Sequence, residues 1–432
     1  MRDFEVAARH LARTNPELIE LAVAENVLLA PELIASIGGR PDLRESDLMY
    51  EDSYGSQVLR ERSAAMLSAS LGLDEALDHN QVSGFSSTRS ALAWILTSLV
   101  EGQANPIFLV PTPCWQGFGW IVADFLGGTI VPVETRSEDD FALSLASIQA
   151  AYRRVVKDHR REPAALILTN PGNPIGRNLP PSLVEDIATW TLRHTRMQLV
   201  SDEIYAHAGL AGCSDLPFVS ALSLRSVPEG DWGRVHVAWG FAKDFGVSGF
   251  RIGLYLCRDR QRHVAVRAHA QWSPFDSLNS ATMAHVLGRE GTDGAVLMKT
   301  FQARLCEQFD AVEEVLNQES IPFVANARAS LFFFLDLRAW LELASARDHT
   351  PGLSASLRTS ESNIDPRERA LRDYLVDEAG VELAPGTQFG TAEPGFFRMC
   401  HTAADLSRVC AGVRQIGTAL RELERNTDTT NP

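Results

Sequence analysis

An α/β fold with a mostly parallel central sheet is what this chain predicts, and three observations carry the prediction. Between about residue 85 and residue 260, short β-branched runs alternate with amphipathic stretches, the pattern of strands joined by crossover helices. Runs such as Leu166-Ile167-Leu168 and Val235-His236-Val237-Ala238 lack polar alternation, as expected when helices cover both faces of the sheet. The composition, 45% hydrophobic and 22% charged over 432 residues, is globular and excludes disorder as the main state.

In chain order, strands are expected at Ile107–Val110, Ile130–Val133, Ala165–Thr169, Gln198–Ser201, Val235–Trp239 and Ile252–Cys257. Helices are expected near Trp115–Phe125, Leu143–Val155 and Ser182–Arg193. From residue 276 the pattern changes to a long helix-like stretch through Leu316, a strand at Leu331–Leu335, further helices, and an amphipathic helix near Ala404–Leu423. The reading is a large domain over residues 41–275 and a smaller α+β domain over residues 276–432. Residues 1–40 hold too little apolar surface to fold alone and are expected to pack on the smaller domain or on a partner subunit. His349 to Pro366 reads as a loose loop, and the polar tail from Arg425 as a fraying end.

A formal charge of -15 with no basic stripe argues against nucleic acid as a partner. The longest apolar runs are strand length, which argues against a membrane span. The start, Met1-Arg2-Asp3-Phe4-Glu5, lacks the basic and apolar pattern of a secretory signal, so a cytoplasmic protein is expected. Six cysteines lie far apart without a Cys-x-x-Cys pair; they read as reduced, mostly buried thiols, and no metal site is expected.

Lys243 stands alone in the largely apolar, Gly-rich run Ala238 to Gly253, just beyond a buried strand, where desolvation would lower its pKa and free an amine for Schiff-base chemistry. Taken alone, such a lysine more often snorkels from a loop. Asp202 ends another strand, where a buried acid demands a cationic or protonated partner, or else caps a helix. Asn173 lies in the rigid turn Asn170-Pro-Gly-Asn-Pro174. Ser87, Thr88 and Arg89 precede a helix-like run whose N-terminus would accept phosphate. Trp115 follows a strand and could stack on an aromatic cofactor; core packing is the plain alternative. Arg398 sits in an apolar run, a costly place unless a carboxylate pairs with it.

In order and spacing these segments resemble the fold-type I aminotransferase superfamily of pyridoxal-phosphate (PLP) enzymes. Within it the chain is most similar to 1-aminocyclopropane-1-carboxylate synthase-like proteins, through Ala24-Glu25-Asn26, Val110 to Phe118, Val200-Ser-Asp-Glu-Ile-Tyr205 and Glu393 to Arg398. The resemblance covers about residues 20 to 415. It implies the aminotransferase-like fold, with Lys243 as the PLP-bearing lysine and α-proton shuttle, and Asp202 facing the ring nitrogen. Tyr205 and Asn173 would hydrogen-bond the phenolic oxygen and Trp115 would stack on the ring. Ser87, Thr88, Arg89 and Arg251 would hold the phosphate. Arg398 would clamp the substrate carboxylate, with Glu25, Asn26 and Tyr54 also at the substrate. Family members form homodimers with shared active sites, and residues near Tyr54 would enter the partner's pocket.

Three departures stand out. The family usually has serine three residues before the lysine, where this chain has Gly240, so one phosphate hydroxyl is missing and Arg89 is a candidate substitute. Ala242 replaces the serine that precedes the lysine in the synthases. The tyrosine expected two residues before Gly55 is Ser53 here, with Tyr54 one step later. The resemblance implies chemistry on S-adenosylmethionine or a similar γ-substituted amino acid, by γ-elimination, γ-replacement or cyclisation. Amino transfer between an α-amino acid and a 2-oxo acid is the alternative. A non-enzymatic regulator is disfavoured, because Lys243 is retained and no basic helix-turn-helix pattern is present.

Overall fold

The computed structural model describes residues 10–38, 45–347, 352–357 and 364–428. Its strands are β1 Ile19–Glu20, β2 Val82–Phe85, β3 Ile107–Thr112, β4 Thr129–Glu134, β5 Ala165–Thr169, β6 Gln198–Asp202, β7 Val235–Gly240, β8 Gly253–Leu256, β9 Phe332–Asp336, β10 Val381–Glu382, β11 Ala384–Pro385 and β12 Phe396–Cys400. Seven of them form one sheet in the order β2-β8-β7-β6-β5-β3-β4. Only β8 runs against its neighbours. The other pairings, from β7 across to β4, are parallel, so their carboxyl ends share one edge. Strands β5 and β7 are buried almost throughout, as expected of a sheet covered on both faces.

The principal helices are α1 Ala30–Gly38, α2 Gln57–Ser70, α3 Thr88–Leu99, α4 Leu145–His159, α5 Pro181–His194, α6 Phe241–Asp244, α7 Ser277–Leu287, α8 Thr292–Gln318 and α9 Leu406–Asp428. Each sits where local chemistry starts it. Ser87, Ser144 and Asp276 accept the N–H of the third residue beyond them at α3, α4 and α7, and Pro181 opens α5 at a position that needs no donor. The stretch expected as one helix from residue 276 is two, because the backbone turns left-handed at Glu290 and Gly291 between α7 and α8. The helix expected from Trp115 begins at Gly117, leaving Trp115 outside it.

Strand β2 escaped the sequence reading. Its Val-Ser-Gly-Phe carries one β-branched residue and a glycine, yet it is wholly buried against β8. Strand β9 pairs antiparallel with β12, which pairs with β11, forming a second, three-stranded sheet. Strand β1 pairs in parallel with β10, tying the N-terminal stretch to this C-terminal half. On that pairing we propose that, of residues 1–40, the described stretch 10–38 goes with the smaller domain begun at residue 276, and that the larger domain lies between them to residue 275; residues 1–9 and 39–44 lie outside the described residues. One apolar cluster runs through both, joining Leu168 and Leu254 to Phe309, Phe332 and Leu420.

Within the span expected as a loose loop, residues 349–351 and 358–363 lie outside the described residues, but Leu353–Leu357 is an anchored turn. Leu357 is buried beside Leu11, Leu18 and Val376, and Asp377 accepts the Gly352 and Ser354 N–H groups. The terminal helix runs on to Asp428, past the expected fraying point at Arg425. Among the described residues, no helix is long and apolar enough to cross a membrane.

Gly240 and Gly253 are paired across β7 and β8 and form the floor on which α3 begins. A Cβ at Gly253 would lie 2.1 Å from the backbone of Thr88, closer than any carbon can approach. Gly253→Ala should therefore push α3 off the sheet and cost about 3 kcal/mol or more of stability, read by thermal or denaturant unfolding. A wild-type midpoint would show that α3 is not seated on this strand.

Candidate active site

The shared strand edge opens on a cavity of about 550 Å3. The walls come from the ends of β5 and β6 (Thr169, Asp202), the turns after β3 and β7 (Trp115, Lys243), and the start of α3 (Ser87, Thr88, Arg89). Strand β8, being antiparallel, brings its amino end and Arg251 to the same edge. The smaller sheet contributes Arg398 from β12, and the segment after β1 contributes Val23, Ala24 and Glu25. Every residue predicted for the site lines this cavity except Asn26 and Tyr54.

At one end α3 points its N-terminus into the cavity. Ser87 caps it by accepting the Ser90 N–H at 3.1 Å, and the Thr88 hydroxyl donates towards the Trp239 carbonyl at 3.4 Å. Gly240 explains this placement: a Cβ there would lie 2.3 Å from Thr88 Oγ1. The space a serine side chain at 240 would enter is thus held by the Thr88 hydroxyl. The Arg89 guanidinium lies over the rings of Trp115 and Trp120, at 5.3 and 4.8 Å. Arg251 holds a left-handed backbone, and its Nη1 donates to the Ser248 carbonyl at 3.0 Å.

In the middle, Asp202 is buried at the end of β6, and no cation stands within ion-pair distance among the described residues. Burial, reinforced by the charge of Glu203, pushes its carboxyl up to about 7 despite the Ile204 N–H. Glu203 is likewise raised by burial to about 7, though Ser220, Ala221 and Ser201 all donate to it. Beside Asp202, Asn173 Nδ2 faces the Tyr205 hydroxyl at 3.4 Å. Lys243 extends from α6 and donates its amine to the Ala24 carbonyl.

At the other end the Arg398 guanidinium lies between Phe332 and Phe389, at 4.5 and 4.7 Å from the ring centres. Its Nη1 donates to Asn173 Oδ1 at 2.9 Å and its Nη2 to the Ala22 carbonyl, leaving buried Nε without a partner. Among the described residues no carboxylate pairs with it directly. Glu20 feels its charge, yet burial raises that carboxyl to about 7 even though the Val23 N–H and Arg398 favour its charged form. A 3%-exposed guanidinium with an idle donor has the chemistry to receive a carboxylate.

Asn26 lies beneath the site and not on its wall, because its amide is spent on the backbone: Nδ2 donates to the Lys243 carbonyl at 2.8 Å. Tyr54 faces away, its ring between the guanidinium groups of Arg60 and Arg267 at 4.7 and 4.5 Å. Ser248 and Arg13 are among the wall residues to which the sequence assigns no role. Ser248, which donates to Glu25 Oε2 at 2.6 Å, stood in a quoted motif without an assigned role. Arg13 reaches the cavity mouth from an exposed N-terminal turn that carries no motif or periodicity.

A family profile described as aminotransferase class I and II matches residues 26–413. The chain is 27% identical over 435 residues to 1-aminocyclopropane-1-carboxylate synthase 5 of Oryza sativa subsp. japonica, covering 96% of this chain and 75% of the relative. It is 28% identical over 414 residues to synthase 4 of the same plant, covering 93% and 79%. Among solved structures it superposes on aspartate aminotransferase from Thermus thermophilus with a TM-score of 0.72 at 19% identity, over 96% of this chain and 95% of that one. Aromatic aminotransferase from Pyrococcus horikoshii gives 0.71 at 18%, over 98% and 100%.

The raised carboxyls set a pH dependence. Asp202 holds its proton in the folded state up to about pH 7, against an ordinary carboxyl value of 3.8 when unfolded. Its contribution to stability is therefore intact below about pH 3.8 and is lost as pH rises towards 7. In cofactor-free protein, Asp202→Asn should remove this loss, so that the variant's melting temperature gains on wild type as pH climbs from 4 to 8. A constant difference across that range would show that Asp202 does not titrate there.

Proposed function

The chain belongs to the class I and II aminotransferases, a family of PLP-dependent enzymes, and on that premise we propose that it abstracts the α-proton of S-adenosylmethionine or a similar γ-substituted amino acid and reacts it at Cγ. The observation that carries this reading is the convergence of Lys243, Asp202 and Arg398 on one cavity from three separate elements. The choice of substrate is supported by synthase relatives that match over nearly the whole chain.

The residues present fit the cofactor. A helix N-terminus with Thr88 and Arg251 suits a phosphate, buried Asp202 lacks the cation that a protonated ring nitrogen would be, and Trp115 offers a flat face. When bound, PLP supplies an electron sink for the charge left on Cα. Asp202 would hold the ring nitrogen protonated, and Tyr205 with Asn173 would donate to the phenolic oxygen. Arg398 would turn its idle Nε to the substrate carboxylate, and this orients Cα towards Lys243. The lysine amine would take the proton from Cα and return it. Glu25, held by Ser248, faces the substrate end.

After α-proton loss, the outcome at Cγ depends on the leaving group. A sulfonium leaves readily, giving ring closure, elimination or replacement. Amino transfer to a 2-oxo acid is the second reading, and Ala242, which resembles aminotransferases at that position, favours it. We further propose a homodimer. Leu48, Met49, Tyr50, Trp272 and Leu278 are exposed, and the 45–48 turn lies against α7, which carries Leu278. Tyr54 lies four residues beyond this apolar surface.

Incubating PLP-loaded protein with S-adenosylmethionine should release methylthioadenosine and a four-carbon product, read by mass spectrometry. No release, with amino transfer to 2-oxoglutarate from some amino acid, would make it an aminotransferase. Lys243→Ala should lose the absorbance of lysine-bound PLP and about 1000-fold or more of turnover while keeping its fold. Gly240→Ser should weaken PLP binding, because its Cβ would crowd both the Thr88 hydroxyl and the Ile252 carbonyl at the start of α3; wild-type binding would show that this corner does not hold the phosphate. Sedimentation should give a dimer; a fully active monomer would refute the shared site.

A further inference from the structure

Lys243 rides on α6, a helix of only four residues closed by the Phe245 N–H on the Phe241 carbonyl. So short a helix does not hold its own orientation. Its last residue, Asp244, faces away from the cavity into a dry network. Asp244 Oδ2 accepts from the His207 backbone N–H at 3.1 Å, from His207 Nδ1 at 3.0 Å and from Trp239 Nε1 at 2.9 Å. Oδ1 meets the Ala208 N–H at 3.4 Å, and His207 Nε2 meets Ser70 Oγ at 3.0 Å. Neither the carboxylate nor the imidazole reaches solvent.

Ser70, His207 and Asp244 have the hydrogen-bond order of a nucleophile triad, yet Ser70 closes α2, where carbonyls face outward. The nearby N–H groups of Leu71, Gly72 and Leu73 are engaged with the Leu67, Ala69 and Ser68 carbonyls. None of these three N–H groups is free to receive an oxyanion at Ser70, so they form no oxyanion hole there. What the network does touch is α6. From the opposite side, Asn26 Nδ2 donates to the Lys243 carbonyl at 2.8 Å and to the Asp244 carbonyl at 3.2 Å. Gly246, with φ of +75°, lets the Asn26 carbonyl lie 2.2 Å from where a Cβ would stand.

We propose that Asp244 is a positioning residue: the Ser70-His207-Asp244 chain and the Asn26 amide grip α6 from two sides and so fix the reach of the Lys243 amine. This rests on the reading of Lys243 as the PLP lysine. Asp244 touches neither cofactor nor substrate and acts only through the backbone of its neighbour. Losing an acceptor that four donors share would leave those donors buried without partners and let α6 turn.

The test uses PLP-loaded Asp244→Asn, His207→Phe and His207→Asn, following kcat, KM and the pH midpoint of the lysine-bound PLP absorbance. The first two should retain PLP with KM unchanged, lose about 100-fold in kcat, as a misplacement of about 1 Å does, and shift the midpoint. His207→Asn keeps a donor where Nδ1 stood and should recover most of both. Wild-type kcat and midpoint in Asp244→Asn and His207→Phe would overturn the proposal, as would a lower melting temperature with unchanged kcat. Should those two fail to fold, half-buried Ser70→Ala decides: it should shift the midpoint and lower kcat several-fold, and wild-type values in both would overturn the proposal. Lys243→Ala separates this from the premise. Loss of absorbance there beside a wild-type Asp244→Asn leaves the lysine assignment standing and removes the grip.

Discussion

The site depends on the register of three parallel strands. Thr169 on β5 pairs with Asp202 on β6, and Asp202 pairs with Ala238 on β7, so the strand ends that carry chemistry stand level at one edge. Side chains alternate between faces, and a slip of one residue in β6 would turn Asp202 away from the cavity and bring Ser201 or Glu203 in its place. The register is fixed by burial: Leu199, Val200 and Leu166 are fully enclosed, and no slipped pairing would leave them so. The antiparallel β8 completes the arrangement by delivering Arg251 from the opposite chain direction.

Charge at this edge is distributed by need. Among the described residues the acid at its centre is buried without a counter-ion, and the arginine at its far end is buried with a spare donor. Each is costly in isolation. Two aromatic rings around Arg398 limit its rotation while leaving the guanidinium charge unneutralised. On the proposed reading, cofactor and substrate would each meet one of these two groups.

Much of this was legible in the sequence. The strands β3 to β7 were readable because apolar runs bounded by Gly, Pro and Asn have few other uses, and the motif residues at their ends came with them. Strand β2 was not, because a strand of Val-Ser-Gly-Phe declares itself only by the neighbour it pairs with. Asn26 was expected at the substrate but lies beneath the cavity, bonded to the Lys243 carbonyl, and hydrogen bonds between residues more than 200 positions apart leave no local signal. The Gly240 departure reads in sequence as a missing hydroxyl; only the fold reveals that the Thr88 hydroxyl fills the space a side chain at 240 would need. Ser70 and His207 lay in no motif at all.

The short pairing of β1 with β10 carries a consequence for how the molecule comes into being. Residues 19–26 lie against both the lysine loop and strands near residue 381, while Arg398 comes later still. During synthesis the segment that will carry Glu25 and Asn26 leaves the ribosome early and must wait for most of the polypeptide before its partner strand exists. Such long-range closure is slow and leaves apolar surface uncovered meanwhile. The large sheet can form first, but the site is complete only once β10 and β12 have been made and paired.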